Sequence, residues 1–173
     1  PEEFILRIND SKLLKEKDRL DLFKSIKNYS LAWSILNYSA EEIDFMGIGV
    51  ANQLIIEKLY KNIKRKIKKI DLVLLDYIGG FNSRNFSYEM YAKGDRLFLS
   101  IAAASILAKV SRDRLMRKYD KEFPEYSFAK HKGYGTKIHQ EALEKYGPCK
   151  IHRKSFSPMR EMLQVETQLE FNL

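Results

Sequence analysis

The apolar and polar positions of this chain alternate between helix-like and strand-like periods. A first helix is predicted after Asp10 or Ser11, either of which can cap its N-terminus, because the apolar positions that follow approximate one face. Those positions are Leu14, Leu20, Phe23 and Ile26. A short strand is predicted over residues 31–36. Such alternation of helices and strands is typical of an α/β fold.

The second helical region is predicted to begin at a capping box, because Ser39 is followed three positions later by Glu42. The helix is predicted to be interrupted near Gly47 and Gly49 and to resume with an apolar repeat that continues to residue 67. Its basic residues are Lys58, Lys61, Lys64, Arg65, Lys66, Lys68 and Lys69. They form either the solvated face of a helix or one wall of a nucleic-acid groove.

The second half of the chain is predicted to contain two more strands and several helices. Residues 72–75 are apolar throughout, as in a strand that is covered on both faces. The elements that follow are a loop over 78–87, a strand over 88–92, a helix of small residues over 97–119, ordered loops over 121–158 around a helix near 137–145, and a final amphipathic helix over 159–173.

Composition and charge narrow the class of protein. The 173 residues are 45% hydrophobic and 31% charged, which predicts a single globular domain with a sizeable core. The formal net charge of +8 favours a polyanionic partner. Cys149 is the only cysteine, so no internal disulfide forms, which fits a reducing compartment and a cytoplasmic protein. No apolar run is long enough to predict a membrane span, so no membrane partner is expected.

Two carboxylates follow the two predicted strands of the second half. Asp76 ends the apolar strand, and Asp95 comes after the next strand, behind Lys93 and Gly94. The carboxyl ends of parallel strands are where α/β folds bind ligands, so neighbouring strands would bring the two side chains together. Their oxygens suit Mg²⁺, which can promote in-line displacement at a phosphodiester. The alternatives are a turn former at Asp76 and a helix cap at Asp95.

A basic, glycine-rich loop over residues 128–137 is the second candidate site. Tyr134 lies between Gly133 and Gly135, and lysines flank the three residues. The loop either contacts phosphate and stacks its tyrosine on a base or sugar, or is an ordered turn with a buried ring. The basic group over residues 152–156 has the same two interpretations.

The sequence does not predict a zinc site or a serine or cysteine nucleophile. His131, His139 and His152 lie too far apart in the sequence for a local zinc signature, and Cys149 adds no second cysteine. The chain contains no G-x-S-x-G motif.

Several segments resemble, in the same order, the motifs of ribonuclease HII, the type 2 ribonuclease H. They are Asn9-Asp10-Ser11-Lys12-Leu13-Leu14, Leu75-Asp76, Lys93-Gly94-Asp95, residues 100–114, Lys130-His131-Lys132-Gly133-Tyr134-Gly135-Thr136 and residues 146–156. The resemblance implies a ribonuclease H-like fold, in which a mixed sheet is flanked by helices. It also implies a catalytic domain over residues 1–158 and a helical tail over 159–173.

The resemblance further implies cleavage of RNA in RNA–DNA hybrids, and 5′ to single ribonucleotides in duplex DNA, with Mg²⁺ or Mn²⁺ held by four acidic residues. Two of the four match Asp76 and Asp95. Tyr134 matches the tyrosine that stacks on deoxyribose, and Ser11, Lys12 and Lys109 are expected to contact phosphate. Asp113 is expected to form a structural ion pair with Arg112 or Arg114. The protein is expected to be a monomer.

Two departures from the family pattern affect these expectations. The family's first strand carries Asp-Glu followed by Gly-Arg-Gly, and nothing in this sequence matches them, Glu2 and Glu3 included. We therefore expect an incomplete sequence or an N-terminally truncated product that lacks the first strand and is inactive by itself. The alternative is a catalytically dead, hybrid-binding remnant. Tyr77 replaces the family's usual glycine and is expected to narrow the site or redirect Asp76.

Overall fold

A computed structural model describes residue 8 and residues 14–170 of the chain. The helices within these residues are α1 Glu16–Tyr29, α2 Ala40–Met46, α3 Ile48–Lys64, α4 Leu99–Glu122, α5 Phe128–His131, α6 Lys137–Tyr146 and α7 Met159–Glu170. The strands are β1 Val73–Asp76 and β2 Tyr88–Tyr91, and short 3₁₀ turns lie at Gly94–Arg96 and Pro124–Tyr126. The predicted elements from residue 72 onward are therefore present, with shifts of a few residues at their ends, and residues 171–173 of the last predicted helix lie outside the described residues.

The first helix begins later than the sequence predicts. Its N-cap is Lys15, so Leu14 precedes the helix. The predicted caps, Asp10 and Ser11, lie outside the described residues. The predicted apolar face is confirmed in part, because Phe23 and Ile26 are buried and Leu20 packs partly buried against the core. Leu22, which was not predicted to belong to this face, is buried as well.

The strand predicted over residues 31–36 is wrong, because residues 32–39 belong to neither helix nor strand. Trp33 and Ile35 still pack against the hydrophobic core. An extended segment turns alternate side chains to one side whether or not a partner strand is present, so the apolar alternation did not distinguish the two.

The capping box of α2 is confirmed. Ser39 Oγ accepts the backbone N–H of Glu42 at 3.1 Å, and the Glu42 carboxylate accepts the backbone N–H of Ser39 at 2.7 Å. The interruption between α2 and α3 occurs at Gly47, whose φ of 78° lies in the region that favours glycine. Because α3 ends at Lys64, the basic residues from Arg65 onward are beyond the helix on which they were predicted.

The two strands are parallel neighbours, as the carboxylate hypothesis requires. Val73 pairs with Tyr88, and Asp76 pairs with Tyr91. The carboxyl ends of β1 and β2 therefore lie side by side, and the chain passes from β2 into the 3₁₀ turn Gly94–Arg96 and then into α4.

The described residues fall into two packing units, each with its own core. The first comprises residues 8, 14–36 and 52–114, and the second comprises residues 37–51 and 115–170. The core of the first is formed by Leu22, Phe23, Ile26, Ile106, Leu107 and Val110. The core of the second is formed by Met116, Tyr126, Phe128, Ala142, Leu143 and Met159. The C-terminal helix, which starts at Met159, thus contributes to the second core.

Within the described part of the chain, none of the helices combines the length and apolar character that crossing a bilayer requires.

Candidate functional site

The carboxylate of Asp76 is fixed by backbone hydrogen bonds at the end of β1. Its Oδ1 accepts the N–H of Tyr77 at 3.0 Å and the N–H of Gly94 at 3.1 Å. The second bond joins the end of β1 to the turn after β2, one residue before Asp95. The described structure therefore brings the backbone positions of the two predicted metal ligands to one edge of the sheet.

The turn that carries Asp95 depends on a close approach at Gly94. A Cβ at Gly94 would lie 2.7 Å from Cδ1 of Ile101, which is buried in the first turn of α4. The preceding Lys93 has a left-handed backbone with φ of 59°. Gly94 O then accepts the N–H groups of Leu97 and Phe98. These contacts hold Asp95 in the 3₁₀ turn that precedes α4, and the lack of a side chain at Gly94 makes them possible.

Tyr77 stands where the family usually has glycine, and its side chain is not buried against the Asp76 carboxylate. The residue is 66% exposed. Its backbone N–H donates to both Asp76 Oδ1 and the carbonyl of Tyr91. The backbone of Tyr77 thus helps to hold Asp76 while its ring faces solvent.

Asp113 forms an ion pair, but with a different partner from the one expected. Its Oδ1 lies 2.7 Å from Nζ of Lys109, and the residue is only 5% exposed. The expectation of Arg112 or Arg114 is wrong, because adjacent residues on a helix point to different faces, whereas residues four apart share one. Lys109, a predicted phosphate contact, therefore also neutralises a buried carboxylate.

Tyr134 lies in a tightly turned loop of the second unit, with its ring in solvent. The residue is 58% exposed, so the alternative of a buried ring is wrong. Lys132 and Gly133 both have left-handed backbones, with φ of 53° and 80°. The Tyr134 carbonyl accepts the N–H of Thr136 at 2.8 Å, and the Thr136 side chain caps α6. The exposed ring is thus carried on a short, hydrogen-bonded loop.

The three histidines, which the sequence leaves far apart, form one cluster beneath this loop. The rings of His131 and His139 stack with centroids 4.3 Å apart, and Nε2 of His139 lies 3.1 Å from Nε2 of His152. Nδ1 of His139 contacts the carbonyl of Tyr134 at 3.0 Å. This cluster was not predicted from the sequence. One usable signal was the position of His139, three residues after the helix cap Thr136, because a side chain at that position can reach back to the preceding loop.

The basic segment over residues 152–156 donates hydrogen bonds to the carboxylate of Asp44, a residue that the sequence did not single out. Asp44 of α2 accepts the backbone N–H groups of Lys154 at 2.7 Å and Ser155 at 3.0 Å, and the Ser155 hydroxyl also donates to it. Burial opposes ionisation of Asp44, but the hydrogen bonds from Ser155 and Lys154 together lower its pKa.

Of the other predicted site residues, Ser11 and Lys12 lie outside the described residues. Among the residues that are described, no group of three or more His, Cys, Asp or Glu side chains is arranged to hold a metal ion. Asp76 and Asp95 supply only two carboxylates, fewer than the three ligands of such a group. The nitrogens of the three histidines are hydrogen-bonded to other groups of the protein.

The chain matches a known protein family over most of its length. The family described as Ribonuclease HII matches residues 4–159. A ribonuclease HII from Desulforamulus reducens is 40% identical over 158 residues, covering 90% of this chain and 77% of that protein. A ribonuclease HII from Caldanaerobacter subterraneus subsp. tengcongensis is 46% identical over 155 residues, covering 90% of this chain. The chain spans 63% of the length of this second relative.

A solved structure shares the fold. The crystal structure of ribonuclease H2 from Pyrococcus horikoshii aligns with a TM-score of 0.73 and covers 95% of this chain and 84% of its own. The sequence identity is 21%, so this likeness shows the fold alone. The predicted ribonuclease H-like α/β fold is thereby confirmed.

Proposed function

This chain belongs to the ribonuclease HII family, and we propose that its reaction is metal-dependent cleavage of RNA in RNA–DNA hybrids and 5′ to single ribonucleotides in duplex DNA. The cut leaves a 3′-hydroxyl and a 5′-phosphate. The observation that carries the chemistry is the hydrogen bond from Gly94 N–H to Asp76 Oδ1, because it joins the end of β1 to the turn that bears Asp95. Carboxylates at adjacent strand ends suit a hydrolase of phosphodiesters.

Asp76 and Asp95 are proposed to hold Mg²⁺ or Mn²⁺. Both backbone hydrogen bonds to Asp76 fall on Oδ1, which fixes the carboxylate plane and directs Oδ2 away from them. Hard divalent cations prefer such carboxylate oxygens, so the donor chemistry fits. When bound, the cation supplies Lewis acidity for displacement at phosphorus. The backbone of Tyr77 and Gly94 orients one ligand, and the 3₁₀ turn positions the other.

Substrate binding is proposed to combine phosphate contacts with stacking. The exposed ring of Tyr134 would stack on the sugar at the RNA-to-DNA junction, and Ser11, Lys12 and Lys109 would contact phosphates. The net charge of +8 supports a polyanionic substrate whose affinity falls with salt. The choice of RNA over DNA would depend on the 2′-hydroxyl, which only RNA presents.

The cellular location, the oligomeric state and the domain organisation are proposed along with this reaction. The protein is proposed to act as a cytoplasmic monomer in ribonucleotide excision repair, without a membrane partner. Residues 1–158 are proposed to be its catalytic domain and residues 159–173 its tail. Membership of a nuclease family favours this proposal over the alternative of a hybrid-binding remnant.

A cleavage assay on end-labelled duplex DNA with one ribonucleotide, in Mg²⁺ and separately in Mn²⁺, tests the proposal. These 173 residues alone carry two of the four acidic residues, so we expect them to bind the duplex and leave it uncut. The same residues preceded by a family member's strand with Asp-Glu and Gly-Arg-Gly are expected to cut 5′ to the ribonucleotide.

Two variants of the longer version provide the controls. Asp95→Asn is expected to abolish cutting, whereas Asp71→Asn, which alters an exposed acid before β1, is expected to preserve it. If the longer version binds the duplex in a salt-sensitive manner but does not cut it at any metal concentration, the proposal is overturned and the binding remnant is favoured.

A further inference from the structure

The histidine cluster is a group of buried titratable side chains that the proposed reaction does not use. Phe128 packs its ring against His131, His139 and His152, with centroids 5.6 to 5.7 Å apart. His131 and His139 are both buried. Buried imidazoles need hydrogen-bond partners, so the positions of their protons follow from the groups that they face.

The partners assign one tautomer to each ring. Nδ1 of His131 accepts the N–H of Gly133 at 3.1 Å, so its Nε2 donates to the carbonyl of Tyr126. Nδ1 of His152 accepts the N–H of Cys149 at 3.0 Å and also lies 3.2 Å from Sγ of the same residue. Burial raises the pKa of the Cys149 thiol, so the sulfur keeps its hydrogen and also faces Nδ1 as a donor, and Nε2 of His152 carries the hydrogen directed at His139.

The middle ring completes a continuous chain. The carbonyl of Tyr134 can only accept, so Nδ1 of His139 donates to it, and Nε2 of His139 accepts from His152. We call this sequence of bonds, from the Cys149 amide through His152 and His139 to the Tyr134 carbonyl, the histidine chain. It ends on the loop residue whose ring is exposed.

The same geometry keeps the histidine chain neutral. A second proton on His152 would face the N–H of Cys149 and also its thiol, which burial keeps protonated by raising its pKa. A second proton on His139 would face the N–H of His152. Each added proton would therefore set a donor against a donor. Burial, and then the neighbouring His139, lower the pKa of His152 to about 4, and burial lowers the pKa of His139 as well.

We propose that His139 and His152 are positioning residues, which act through the histidine chain to fix the Tyr134 loop so that its exposed ring can stack on nucleic acid. This inference rests on the proposed substrate role of Tyr134. His131 supports the same loop by accepting the N–H of Gly133. The histidines themselves do not touch the substrate.

The proton positions are tested first, and without any substrate. Long-range ¹H–¹⁵N spectra at pH 7 are expected to show the Nδ1–H tautomer for His139 and the Nε2–H tautomer for His131 and His152. An Nε2–H tautomer at His139, or averaging between tautomers, would overturn the histidine chain.

A matched pair of variants then isolates the contact with Tyr134. In His139→Asn the side-chain NH₂ group takes the position of Nδ1 and still donates to the Tyr134 carbonyl. In His139→Gln the side-chain oxygen takes the position of Nε2 and still accepts from His152. Each variant loses one of two hydrogen bonds, so both should lose similar stability. Duplex affinity, measured by fluorescence anisotropy in EDTA, is expected to be about fivefold lower for His139→Gln than for His139→Asn, the value of one hydrogen bond.

The background variant Tyr134→Ala separates positioning from a general structural role. If His139 acts through Tyr134, the affinity difference between the two His139 variants should vanish in that background. A difference that persists would overturn the proposal. If Tyr134→Ala alone leaves duplex affinity unchanged, the proposed substrate role of Tyr134 fails and positioning fails with it, even where the tautomers are as expected.

Discussion

Asp44 and Ser155, which are 111 positions apart in the sequence, are joined by two hydrogen bonds. Asp44 Oδ1 accepts the backbone N–H of Ser155 at 3.0 Å and also the Ser155 hydroxyl. The other oxygen, Oδ2, accepts the N–H of Lys154 at 2.7 Å. One side chain of the short helix α2 thus satisfies consecutive amides of the loop that precedes α7.

Asp44→Asn is expected to destabilise the protein by about 1 to 2 kcal/mol, because charge-assisted hydrogen bonds to two amides become neutral ones and one acceptor is lost. Urea unfolding measures the change. Glu41→Gln on the same helix is the control and should stay within about 0.5 kcal/mol. Equal losses in the two variants would show that the loop does not depend on Asp44.

The contribution of Asp44 to stability should also depend on pH. Since the pKa of Asp44 is lowered, this contribution should be present at neutral pH and lost on acidification through that lowered pKa.

His152 gives stability a second pH dependence, in a higher window. Its folded pKa of about 4 lies below the ordinary value near 6.5, so the unfolded state binds more protons between these values. The free energy of unfolding should therefore fall as pH decreases from about 6.5 to 4. We expect a loss of about 1 to 2 kcal/mol, since solvent screening of this half-buried ring reduces the full effect of the shift.

Thermal or urea unfolding across that window measures the slope. His139 should add to it with the same sign, because its pKa is also lowered. In His152→Gln the slope should be shallower than in the wild type. An unchanged slope would mean that His152 is not the titrating group.

The pair of Lys109 and Asp113 predicts an asymmetric response to substitution. Lys109→Met leaves the carboxylate of Asp113 buried without its cation, and it should cost about 3 kcal/mol. The double variant Lys109→Met/Asp113→Leu should recover most of that loss, because no charge then remains buried. Lys118→Met, at an exposed lysine of α4, should change little. A single-variant cost as small as that of Lys118→Met would refute the ion pair's structural role.

Gly94 and Ile101 predict a compensating pair of substitutions. Gly94→Ala should cost about 1 to 2 kcal/mol, because the new Cβ would lie 2.7 Å from Ile101 Cδ1. Ile101→Val alone should cost about 1 kcal/mol as a lost buried methyl. Since valine lacks that methyl, the double variant should be more stable than the sum of the two costs predicts. Simple additivity in chemical unfolding would show that the strain is relieved elsewhere.

Prediction from the sequence was most successful where a structural feature depends on neighbouring residues. The capping box at Ser39, the apolar strand that ends at Asp76 and the helix before Tyr146 all follow from short-range patterns, and all are present. The predicted strand over residues 31–36 failed because a strand requires a hydrogen-bonded partner, which the pattern within one segment cannot supply. The ion pair of Asp113 was assigned to adjacent arginines, although spacing by four on a helix pointed to Lys109.

The sequence alone determined the local elements, the charge and the motifs of the family, because these depend on composition and on residues close together in the chain. Only the tertiary structure placed Asp76 Oδ1 against the amide of Gly94, and Asp44 against Ser155. It also brought three distant histidines into one cluster, in which His139 is hydrogen-bonded to His152 and stacks on His131. Such contacts depend on how the chain returns to itself, and the free energy that selects them comes from burying side chains that lie far apart in the sequence.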